Sequence, residues 1–153
     1  MKFVHLSPRE IKQFKTPKDL GDGPKPLRTL WFACGNVWEE YVASEMPDEK
    51  NYKYKYEADL DESKLLILRT VKQIKEFTEK YWLEVEGYPT LKSGSIDWNS
   101  VRDETGKSGI YIPNAGLKKA RKDYLWYYSF DICSVAIWNK DAILEMRLIS
   151  QSS

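Results

Sequence analysis

A chain of 153 residues, 42% hydrophobic and 31% charged, reads as one globular domain over residues 1–153 with length enough to bury a single core. Its net charge of +1 excludes a dedicated DNA-coating protein, whose phosphate contacts demand a clear basic excess. Two cysteines and one histidine offer neither a disulfide scaffold nor a metal-ligand spacing, and no apolar run approaches the ~20 residues of a membrane span.

No apolar leader opens the chain, so secretion has no support and a reducing cytoplasm, with no membrane contact, is the expected location. Six Trp and ten Tyr either build the core or line a binding cleft. Phe3-Val4-His5-Leu6 reads as a first strand. Ser7, Pro8 and Glu10 then have the order of an N-cap, a first helical residue and a capping acid, which predicts a short helix. Residues 15–28 hold Pro17, Gly21, Gly23, Pro24 and Pro26 and must form a loop. Leu30 to Ala33 is the second strand. Asn36 and Glu39 predict a helix to about Ser44, and Met46 to Asn51 a turn.

Tyr52 to Ala58 alternates strictly, the period of a strand with one wet face. Leu65 to Leu68 is a short apolar strand. Thr70 caps a helix from Val71 to Tyr81, with Val71, Ile74, Phe77 and Tyr81 at helical spacing. After a linker rich in Gly, Pro and Ser, Asp97 caps a short helix from Trp98 to Val101. Gly109 to Ile112 and Ser134 to Trp138 are strands, and a turn at Asn139–Asp141 leads to a final strand or short helix from Ile143 to Ile149. The class is α+β.

Three of these pieces stand in a telling order: His5-Leu6-Ser7, then Leu30-Trp31-Phe32-Ala33, then Tyr41. In that order they resemble the first two signatures of the ADP-ribosyltransferase fold, in the branch of diphtheria toxin and the poly(ADP-ribose) polymerases. Tyr54 to Leu68 and Gly109 to Ile112 are similar to its middle, and Ser134 to Asn139 to the strand that carries its catalytic glutamate. The resemblance implies split antiparallel β-sheets with peripheral helices. It also implies transfer of ADP-ribose from NAD to a macromolecular acceptor, protein or nucleic acid, with nicotinamide released and no metal needed.

The roles implied follow the matched positions. His5 would hold an adenosine ribose hydroxyl, which suits an imidazole because one nitrogen donates while the other accepts. Main-chain groups at Leu6, with Ser7 beside them, would hold the nicotinamide amide, and Trp31 and Tyr41 would flank its ring. Such stacking contributes ~0.5–1.5 kcal/mol per pair beyond burial. The family's glutamate position falls on Ser134, which has no charge; Asp131 is the nearby carboxylate that could stabilise the electrophilic ribose. An RNA phosphotransferase on the same fold would need further basic and histidine ligands.

Ahead of that strand, Lys118, Lys119, Arg121 and Lys122 are followed by Tyr124, Trp126, Tyr127 and Tyr128. Here the fold family places the loop that meets the acceptor. Cations and rings together could track phosphates and stack bases, or grip an acidic protein surface. The same segment supports a rival function: a non-catalytic binding or inhibitor protein, a bacterial or phage effector, using an aromatic and basic surface.

Overall fold

The computed structural model of the chain describes residues 2–35, 37, 53–83 and 94–151. The expected helix from Asn36 and the turn at 46–51, with Tyr41 among them, lie outside the described residues. Within them run the strands β1 (Phe3–Ser7), β2 (Asp22–Gly23), β3 (Leu30–Cys34), β4 (Tyr54–Leu60), β5 (Leu65–Ile67), β6 (Trp82–Leu83), β7 (Ser95–Asp97), β8 (Gly109–Ile112), β9 (Ser134–Ile137) and β10 (Ile143–Gln151). Four helices accompany them: α1 (Val71–Tyr81), α2 (Trp98–Thr105), α3 (Lys118–Asp123) and α4 (Leu125–Tyr128). The fold is α+β.

A seven-stranded sheet has the order β10-β4-β1-β3-β9-β8-β5, and a small antiparallel sheet the order β2-β7-β6. Neighbours in the large sheet are antiparallel except β5 and β8. Sequence suggested antiparallel pairing throughout. A parallel pair needs a long crossover, and the stretch holding α1 and α2 supplies it.

Local chemistry sets the helix starts. Thr70 and Gln73 form a reciprocal capping box at α1, whose buried face is Ile74, Phe77, Thr78 and Tyr81. Asp97 accepts from the Ser100 N–H to start α2, which runs past the expected end at Val101 to Gly106, a C-cap with φ of 65°. The helix expected at Ser7 does not form. Ser7 ends β1, and its hydroxyl closes a local turn by accepting from the Arg9 N–H at 3.2 Å and donating to the Arg9 carbonyl. Beyond it Ile11 and Phe14 pack on the sheet, and the Ile11 N–H bonds the Tyr56 hydroxyl at 2.7 Å.

Alternation along the strands makes two cores, one on each face of the large sheet. On the first face lie Phe3, Phe32, Ala58, Tyr111, Val135 and Ile137. On the second, Ile110, Ile112, Ala136 and Trp138 meet residues of α1, α2 and α4. Gly109 lies between β5 and β8's other neighbour β9, where a Cβ would stand 2.5 Å from the Ala136 carbonyl oxygen. Only glycine lets these backbones approach so closely.

Candidate functional site

The register of β1 against β3 pairs Phe3 with Cys34 and Val4 with Ala33. Continued, it sets His5 opposite Phe32. The imidazole lies on the first face, its ring 5.8 Å from that of Phe32 and 6.3 Å from that of Tyr56. Trp31, one residue along, points to the second face, where its ring stands 5.6 Å from Phe130 and the Lys25 ammonium lies 5.7 Å from both rings. His5 and Trp31 therefore do not share a cleft, as the joint NAD roles implied for them by the resemblance would require. By the same alternation Ser7 goes with His5, while Leu6 and Ser134 go with Trp31.

His5 has a structural task. The β1–β3 ladder holds only two residue pairs, and past them the His5 Nδ1–H donates to the Trp31 carbonyl. The side chain bridges the strands where the main chain stops doing so. Burial pushes the imidazole below its ordinary value of 6.5, against a smaller upward pull from that carbonyl. The unfolded chain thus takes up a proton at a pH where the folded chain does not. His5's contribution is full above 6.5 and falls as pH drops from there toward the folded value. Unfolding midpoints measured across this window should fall more steeply for the wild type than for His5→Asn. Equal slopes would remove His5 as the cause.

Ser134 is buried, paired opposite Ala33, and Asp131 is exposed in the link between Phe130 and β9. Trp126, expected at an acceptor surface, is fully buried, with its Nε1–H donating to the Thr78 hydroxyl at 2.7 Å. The reason is helical: α4 turns Trp126 and Tyr127 inward and leaves Leu125 and Tyr128 outward, 43% and 53% exposed. Tyr127 donates to the Asn114 carbonyl, and burial pushes its phenol up.

The cations of the same segment do form a surface. Lys118, Lys119 and Lys122 are exposed on α3. Arg121 is half-buried, its guanidinium 4.4 Å from the centre of the Tyr128 ring and its Nη1 donating to the Ala115 carbonyl at 3.1 Å. Lys119 bridges to Asp123 at 3.0 Å. Of the rings the sequence placed beside these cations, the structure leaves Tyr128 at the surface and buries Trp126. No helical period links Arg121 to Tyr128, because the extended Tyr124 separates α3 from α4, and Lys25 over Trp31 lies in a loop that carries no period either.

Cys34 and Cys133 form a disulfide, their Cα atoms 5.7 Å apart. The thiols expected to stand apart in a reducing compartment are joined, because β3 and β9 are neighbours and Cys34 and Cys133 extend their ladder by one rung. Among the described residues no group of three or more His, Cys, Asp or Glu side chains could hold a metal ion, and no helix is long and apolar enough to cross a membrane. Comparison of the chain with protein-family models, curated proteins and solved structures gives no match in any of the three.

Proposed function

We propose that this protein is a non-catalytic binding module that engages an acidic protein surface through α3 and α4. The observation that carries the reading is the stack of Arg121 on the exposed Tyr128, flanked by Lys118, Lys122 and Leu125. Stacking holds the half-buried guanidinium against the exposed ring. Exposed aromatic and aliphatic groups among cations suit a protein partner, whose acidic patches are interrupted by apolar ones. The Cys34–Cys133 bond favours an oxidising compartment over the cytoplasm expected from sequence.

Fluorescently labelled poly-glutamate is the probe. Binding is expected to weaken with salt and to fall about tenfold or more, on the order of 1.4 kcal/mol, in Lys118→Glu/Lys122→Glu and in Tyr128→Ala. All three side chains are exposed, so stability should stay within about 0.5 kcal/mol of wild type. No binding overturns the reading, and tighter binding of a single-stranded oligonucleotide assigns the patch to nucleic acid.

ADP-ribose transfer from NAD is the second reading. What favours it is strand alternation, which places Leu6, Trp31 and Ser134 on one face, with Asp131 in the link that precedes β9. NAD added to the same protein in a thermal scan separates the readings. A raised midpoint supports transfer, with Trp31 at the ring and a group other than His5 at the adenosine ribose; an unmoved one supports the binding module.

A further inference from the structure

Strand β10 is an edge of the large sheet among the described residues, and it is nine residues long. Leu144, Leu148 and Ile149 on it are 66%, 43% and 46% exposed. A long apolar edge invites pairing with another strand. We propose that β10 pairs with β10 of a second copy of this chain, antiparallel, joining two large sheets into one across a two-fold axis midway between the two Met146 residues.

The sequence of the edge names that occupant. Ile143-Leu144-Glu145-Met146-Arg147-Leu148-Ile149 reads nearly the same from either end, with one exchange, Glu for Arg. In an antiparallel pair opposed residues share a face, so a two-fold axis normal to the sheet must pass midway between one residue and the same residue of the other copy. The register against β4 is regular from Glu145 to Leu148, with shifts on either side at Leu144 and Ile149. Centred on Met146, the pairing sets Glu145 of each copy against Arg147 of the other within that regular stretch, and brings Leu144, just beyond it, beside Leu148 of the other copy. Centred on Glu145 or Arg147, it sets a charge against itself. A parallel pairing, in register, does the same at both positions. One alignment satisfies both charges.

Charged residues on an edge strand normally deter pairing. Here they deter a foreign strand and select a copy. Within one chain Glu145 shares Arg147 with Asp59, each at 3.2 Å, and Glu57 stands at 3.8 Å from the same guanidinium. A second Arg147 arriving opposite Glu145 gives that carboxylate a partner of its own. The assembly also closes. It covers the long edge of both copies and, among the described residues, leaves outermost the β5 strands, only three residues long.

Sedimentation equilibrium of the full chain over a concentration series tests this. Wild type is expected to show a dimer. Leu144→Lys, Glu145→Arg and Arg147→Glu should each raise its dissociation constant about tenfold or more, with unchanged far-ultraviolet circular dichroism. Leu144→Lys carries the test if Arg147→Glu fails to fold. A mixture of the Glu145→Arg and Arg147→Glu chains is expected to dimerise again, because each now presents the charge its partner lacks. A role confined to one chain predicts no such rescue. A wild-type monomer at every concentration, a dimer indifferent to the substitutions, or a mixture without rescue overturns the proposal.

Discussion

Reduction of the Cys34–Cys133 bond is expected to lower stability by ~2–5 kcal/mol. The two residues are separated by 99 positions, and closing a loop of roughly 100 residues removes denatured-state entropy worth about 4.7 kcal/mol in the simplest model. Their Cα separation of 5.7 Å sits inside the ~4.4–6.8 Å that suits the bond, and the neighbouring pair Ala33–Ser134 already fixes the register. Domains of this size are stable by only ~5–15 kcal/mol, so the loss is a large share. Urea unfolding with and without dithiothreitol measures it. The double variant Cys34→Ala/Cys133→Ala should reproduce the reduced curve and ignore the reductant. If the wild-type midpoint does not move on reduction, the cross-link contributes nothing and the argument from loop length fails here.

Elements set by local chemistry were legible in the sequence. Thr70 with Gln73, Asp97 with Ser100, and the alternation that buries Tyr56, Ala58 and Leu60 in β4 all act within a few residues. The placing of His5 and Trp31 on opposite faces was not legible, for a reason of register. Which face a strand residue takes depends on its parity relative to a partner far away in sequence, and a shift by one reverses it. His5 falls opposite Phe32, so Trp31 had to point away. The same blindness hid the disulfide, since sequence distance between Cys34 and Cys133 says nothing of two strands lying side by side. Ser7 shows the converse error. Its capping hydroxyl was read correctly, but a cap starts a helix only when an amphipathic run follows. Ile11 and Phe14 are held instead by the sheet.

Trp126→Ala is expected to be the most damaging single substitution in the second core, at ~3–5 kcal/mol. The ring has no exposure, and its centre lies 5.1 Å from Phe77, 5.7 Å from Phe130 and 6.1 Å from Trp98. Those neighbours come from α1, α2 and the link before β9, so no single element can move to fill the void. The Thr78 hydroxyl would lose the indole donor but keep its own bond to the Ile74 carbonyl at 2.7 Å, so most of the loss is the cavity. Trp126→Phe separates the two effects. It retains much of the ring volume and forfeits the hydrogen bond, worth ~0.5–1.5 kcal/mol. Leu125→Ala, one residue away on the exposed side of α4, should stay within about 0.5 kcal/mol of wild type. Denaturant midpoints for the three variants should therefore fall in the order Leu125→Ala, Trp126→Phe, Trp126→Ala, from least to most damaging. A Trp126→Ala chain as stable as wild type that no longer binds poly-glutamate would return Trp126 to the surface role its place in the sequence first suggested.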